Sequence, residues 1–194
     1  CECANKPVMA VALGDAAGIG PEIVAKVAAS GFLTQHSRPI IVGDESVLKK
    51  GMEIANVNFE YKVTESMEEA VKMDGIVLYH TNSLDASKVE LGVVTAENGK
   101  EEAENLCKIM EYCQQGLLDG FCFAPLNKAA MKKGGYTYES EHELFADKLG
   151  VMDQPHGEMN VLDGLWTSRA TSHIPLKDVS EHLTMDTVMN AIKL

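Results

Sequence analysis

The 194-residue sequence predicts an α/β fold built on a substantially parallel sheet. Two observations carry that expectation. Short apolar runs of strand length alternate with stretches whose apolar residues recur at three- and four-residue spacing, an alternation that sets helices between parallel strands. Most joints between a run and the following helix hold Gly, Asp, Ser or Asn, residues that turn the backbone and cap helix starts. With 45% hydrophobic residues, the chain can bury a sizeable core as one large domain or two small ones.

The elements follow in order. Pro7 to Leu13 is an apolar run ending at Gly14-Asp15. A second pair of glycines precedes Pro21-Glu22, which open a helix with Ile23, Val24, Val27 and Ala28 at helical spacing and Ser30-Gly31 as its stop. A second strand, Pro39 to Val42, meets Gly43-Asp44-Glu45-Ser46, where Ser46 can cap a short helix through Lys50. Residues 58–63 and 75–79 read as further strands with a short helix over 66–73 between them, and the polar stretch 80–93 reads as an irregular connection. Residues 95–115 predict a long amphipathic helix with Ala103, Leu106, Cys107, Met110 and Cys113 inward and the acidic run Glu97 to Glu104 on its solvated side. Gly120 to Ala124 is expected as a buried strand with Cys122 in the core, and Pro125-Leu126-Asn127-Lys128 turns into another helix. Beyond it the pattern predicts a helix over 144–149, a strand over 159–166 interrupted by Gly164, a strand over 168–172 and a last helix over 185–192. No internal repeat, low-complexity tract or obvious linker interrupts the chain.

Composition excludes several functions. The formal charge of -12 argues against nucleic-acid binding, which rests on clustered Lys and Arg. No apolar run reaches the roughly 20 residues of a membrane helix, and the segment Cys1 to Lys6 lacks the apolar core of a signal peptide, so a cytoplasmic location is expected. Five cysteines (Cys1, Cys3, Cys107, Cys113 and Cys122) show no CxxC pair, which indicates neither a disulfide framework nor a structural zinc site.

Four places could carry chemistry. The loop Gly14 to Glu22 lies between strand and helix, where backbone N–H groups and the helix dipole favour an anion. It lacks the G-x-G-x-x-G spacing of a dinucleotide loop, and glycines serve a tight turn equally well. Lys128, at another strand end, can meet a phosphate or carboxylate or simply face water. His142 sits in Glu141-His142-Glu143-Leu144. His173 sits between small polar residues and Pro175, where a neutral imidazole can ligate a divalent metal or exchange a proton. No spacing pairs the two histidines.

Five segments in one order resemble the 4-hydroxythreonine-4-phosphate dehydrogenase family, which includes related threonate and erythronate 4-phosphate dehydrogenases. Gly14-Asp15-Ala16-Ala17-Gly18-Ile19-Gly20-Pro21-Glu22 is similar to the family's G-D-P-A-G-I-G-P-E. Ile41-Val42-Gly43-Asp44 matches its next strand end, Thr95 to Lys100 the start of its long helix, Ala124 to Lys128 its A-P-L-N-K, and Thr171 to Leu176 its T-T-H-x-P-L. The resemblance implies an isocitrate/isopropylmalate-dehydrogenase-like fold working as a homodimer. It implies oxidation of the secondary alcohol of a phosphorylated four-carbon hydroxy acid by NAD or NADP, with decarboxylation of the keto acid. It also implies a divalent metal (Zn, Mg or Co) that eases deprotonation of the hydroxyl and stabilises the enolate. By the same carry-over His173 falls on a metal-ligand position, and His142 with Glu143 on substrate-contacting positions.

Two departures qualify the resemblance. The family's G-H-T-E is here Glu141-His142-Glu143-Leu144, which puts a carboxylate where a hydroxyl donor is usual and opens the substrate to sugar-acid phosphates or an unphosphorylated diol. The family's N-P-H-A-G-E-G-G and Y-H-D-Q segments, with two further metal histidines, do not occur in the chain. Residues 1–194 are therefore expected to be the N-terminal portion of a two-lobed dehydrogenase, inactive alone. The alternative is a non-catalytic binding or assembly module that retains the fold.

Overall fold

The computed structural model describes residues 6–138 and 140–194, so Cys1, Cys3 and Glu139 lie outside the described residues. The chain divides into two compact units, one running to Thr137 and one from Tyr138 to Leu194.

In the first unit, five strands form one parallel sheet: β1 (Val8–Ala12), β2 (Arg38–Gly43), β3 (Lys62–Thr64), β4 (Val77–His80) and β5 (Gly120–Phe123), in the order β3-β4-β2-β1-β5. The register sets Val63, Leu78, Ile41, Val11 and Cys122 in one row across all five. Because side chains alternate along a strand, that row marks one face. Val11, Ile41 and Leu78 there share a core with Val24 and Ala28 of α1 (Gly20–Ala29) and Val47 and Leu48 of α3 (Glu45–Ala55). On the opposite face α5 (Ala96–Gln114) packs along β1 and β2, and its Tyr112 hydroxyl lies 3.0 Å from that of Tyr79 on β4. The remaining helices are α2 (Phe32–His36), α4 (Met67–Ala70) and α6 (Lys128–Lys133).

Several expectations need correction. The helix expected to start at Ser46 is capped by Asp44, which accepts from the Ser46 amide at 2.9 Å, and it runs on to Ala55. Gly51 lies within the helix at its contact with α1, where a Cβ would overlap the Pro21 carbonyl. β5 is an edge strand: Cys122 and Phe123 are exposed where burial was expected, since β1 is its only paired neighbour among the described residues. The acidic run of α5 is not wholly solvated. Glu101 and Glu102 are 7% and 2% exposed. The strand expected over 58–63 shrinks to β3, the helix over 66–73 to α4, and α2 was not anticipated.

The second unit holds α7 (Glu141–Leu149), β6 (Met159–Leu162), β7 (Leu165–Ser168), α8 (Val179–His182) and α9 (Met185–Lys193). The strand expected over 159–166 is an antiparallel hairpin that turns at Asp163-Gly164, with Gly164 at φ 74°. Glycine adopts that angle without a Cβ penalty. The strand expected over 168–172 does not form beyond Ser168. α7 begins earlier than expected, at Glu141, because Ser140 accepts from the Glu143 amide. α9 opens on a capping box between Thr184 and Thr187. Among the described residues no helix is long and apolar enough to cross a membrane.

Candidate functional site

In parallel sheets, functional groups collect where the strands end at their carboxyl edge. At that edge of the first unit the chain crosslinks its own motifs. Gly14, at φ 72°, approaches the Pro125 carbonyl so closely that a Cβ would lie 2.5 Å from its oxygen. Asp15, 7% exposed, accepts the Ala17 amide on Oδ1 at 2.9 Å and the Asn127 side-chain amide on Oδ2 at 3.0 Å. The Gly18 amide donates to the Asp15 carbonyl. Two of the loop's amides are thus engaged within it, which favours the tight-turn reading over an anion cradle. Asn127 also donates its backbone N–H to Glu102 Oε1 at 3.0 Å and caps α6 by accepting from Ala130. It therefore joins β1, α5 and α6. Lys128 follows it, exposed, on the first turn of α6.

A second buried polar group lies at the ends of β2 and β4. Asp44 accepts from both the amide and hydroxyl of Ser46, and His80 Nδ1 accepts the Glu45 amide at 3.1 Å. Glu101 reaches toward this group from α5, accepting from Asn105 at 2.6 Å and Ser83 at 3.3 Å. Burial pushes its carboxyl up to about 7, and the Asp44 and Glu104 charges add to the rise, against the lowering by those two hydrogen bonds. A buried acid of this kind is a candidate proton carrier.

The second unit carries a cleft of about 290 Å³ whose lining includes one of the three sequence-predicted residues, His142. His142, Glu158, Arg169, Thr171, Ser172 and Asn190 line it. The hairpin end is held to α9 by Ser168 Oγ, which donates to the Ala191 carbonyl at 2.6 Å. Glu158 Oε1 lies 3.4 Å from His142 Nε2, and Glu158 Oε2 accepts from the Arg169 guanidinium. His142 projects into the cleft from α7. His173 follows the lining residue Ser172 directly; it is exposed, and its backbone is left-handed at φ 58°. Glu143 lies on the first turn of α7 beside His142, outside the lining.

Among the described residues no three His, Cys, Asp or Glu side chains gather as a metal group. His173 can offer one imidazole, and these residues do not make up a complete metal site. The sequence reading missed Glu158, Arg169 and His156, all in the cleft lining. One signal was available, since Arg169 is one of only two arginines in an acidic chain.

The family model described as pyridoxal phosphate biosynthetic protein PdxA matches residues 35–194. A Pasteurella multocida protein named as a 4-hydroxythreonine-4-phosphate dehydrogenase is 37% identical over 193 residues, covering 98% of this chain and 57% of its own length. A Clostridium botulinum protein named as a D-threonate 4-phosphate dehydrogenase is 29% identical, over 97% of this chain and 56% of its own. The crystal structure of a 4-hydroxythreonine-4-phosphate dehydrogenase from Burkholderia phymatum superposes with a TM-score of 0.84 at 28% identity, covering 97% of this chain and 56% of that one. The chain thus spans little more than half the length of these relatives.

Proposed function

Because this chain belongs to the PdxA family, we propose that it forms part of a dehydrogenase that oxidises the secondary alcohol of a phosphorylated four-carbon hydroxy acid with NAD or NADP. In this reading the substrate is 4-hydroxythreonine 4-phosphate or threonate or erythronate 4-phosphate, and the keto acid that forms loses its carboxyl group. The protein works in the cytoplasm as a homodimer.

The observation that carries the reading is the cleft of the second unit. It sets His142 beside Thr171 and Ser172, the residues that lead into His173, so two motifs separated in sequence meet at one place. Hydroxyl, amide, imidazole and guanidinium groups there suit a small polyhydroxylated anion. His142 can hydrogen-bond a substrate oxygen, Thr171 and Ser172 can orient its hydroxyls, and Arg169 can hold its charge. A divalent metal is part of the proposal, with His173 as one ligand and the others supplied by polypeptide outside these residues. Since the present residues do not complete that site, no step is assigned to the metal.

The test is a substrate panel on the product of the full reading frame that encodes this chain. NAD(P)H formation is expected with at least one of the three phosphorylated acids. His142→Ala should lower kcat/KM by roughly tenfold to a hundredfold, the worth of a hydrogen bond to a charged group. No turnover of any of the three would remove the reading.

A further inference from the structure

Glu158 immediately precedes β6 and Arg169 immediately follows β7. The hairpin register pairs Met159 with Ser168, so residues 158 and 169 form the next cross-strand position beyond the ladder's end. The same register that builds the hairpin therefore brings this carboxylate and guanidinium together, and their placement at the cleft wall is fixed by backbone hydrogen bonding. Both oxygens of Glu158 are engaged at the cleft wall, Oε1 facing His142 Nε2 at 3.4 Å and Oε2 accepting from the Arg169 guanidinium. Among the described residues Glu158 is the only acidic side chain in the lining.

We propose that Arg169 is the anion-anchoring residue of the cleft and that Glu158 is its internal competitor, a tethered carboxylate that an incoming phosphate or carboxylate displaces. The inference rests on the cleft being the binding place of an anionic hydroxy acid and names the residue that sets its affinity. Three features support it. The side chains are 31% (His142), 50% (Glu158) and 40% (Arg169) exposed, so the Arg169–Glu158 ion pair is screened and gives way to a stronger ligand. A guanidinium presents a planar fork that matches phosphate and carboxylate oxygens, and a phosphate carries more charge than the single carboxylate it replaces. The rest of the wall supplies neutral donors in Thr171, Ser172 and Asn190, which can complete an oxyanion's shell without repelling it.

The test is calorimetric titration of the 194-residue chain with inorganic phosphate, D-threonate 4-phosphate and unphosphorylated D-threonate. Arg169→Gln should weaken binding about tenfold or more, and Glu158→Gln should tighten it about threefold or more. Opposite responses from two partners of one ion pair cannot both come from misfolding, and circular dichroism of each variant checks the fold. Binding that appears only in Glu158→Gln also supports the competitor. Phosphate and D-threonate 4-phosphate binding alike, with D-threonate weak, places the phosphate at Arg169; D-threonate binding alone places the carboxylate there. Unchanged or weaker binding in Glu158→Gln, unchanged binding in Arg169→Gln, or no binding by any variant overturns the inference. Arg169-dependent binding in a protein that oxidises nothing would remove the dehydrogenase reading and leave this one. An active dehydrogenase whose KM ignores Arg169→Gln would do the reverse.

Discussion

Glu101 shows how far a single residue can stand from its sequence context. It lies in an acidic run that reads as solvent-facing, yet it is 7% exposed, lies in a buried polar group with Asp44 and Asn105, and accepts from the exposed Ser83 hydroxyl. Helical periodicity locates the apolar stripe but not which flanking polar residues a neighbouring strand end will cover, and this is why the sequence did not reveal it. The consequence is a pH-dependent stability. Burial, first, raises the Glu101 carboxyl from 4.5 to about 7, so the folded state holds its proton through a window in which the unfolded chain has released it. Stability attributable to this residue is complete below 4.5 and falls as pH rises toward and past 7, by about 3 kcal/mol in all. Glu101→Gln keeps an acceptor for Asn105 and Ser83 and removes the ionisation. The variant should melt above wild type at pH 8 and converge on it below pH 4.5. Parallel melting curves across that range would show that Glu101 carries no such burden.

At the scale of elements, the motifs that made the family legible turn out to be largely contacts between elements. Gly14-Asp15 meets Pro125 and Asn127 because the β1 loop lies against the β5 loop. Gly99, in the Thr95 to Lys100 segment, lets α5 lie on α6 so closely that a Cβ would overlap the Ala130 carbonyl. A glycine inside an exposed helix costs about 1 kcal/mol relative to alanine, so Gly99→Ala would stabilise an isolated α5. Here the overlap is with backbone, which cannot rotate away. The net effect is expected to be a loss of about 2 kcal/mol or more, read as a lower denaturant midpoint. An unchanged or raised midpoint would mean that α5 and α6 are not held this closely. Other elements were illegible for a physical reason. Asp163-Gly164 looks like an interruption until Leu162 and Leu165 are seen to pair, and the exposure of β5 depends on which strands flank it, a matter of topology. His142, singled out by its motif, lines the cleft, whereas Glu158 and Arg169 reach it through hairpin register, which residue types alone do not state.

For the molecule as a whole, the order of motifs, the parallel sheet and the family match agree, and the fold is that of the 4-hydroxythreonine-4-phosphate dehydrogenases. The chain covers 56% to 57% of its relatives' length, and the described residues bring no three metal-ligating side chains together. The central proposal is that these residues contribute a substrate cleft and one metal ligand, His173, to a dehydrogenase whose metal site they do not complete by themselves. The most direct measurement compares NAD(P)H formation by the 194-residue chain with that by the product of the full reading frame, with added divalent metal and D-threonate 4-phosphate or 4-hydroxythreonine 4-phosphate. The account predicts turnover by the full product only, abolished by His173→Ala. Comparable turnover by the 194-residue chain, or full activity after His173→Ala, would contradict it.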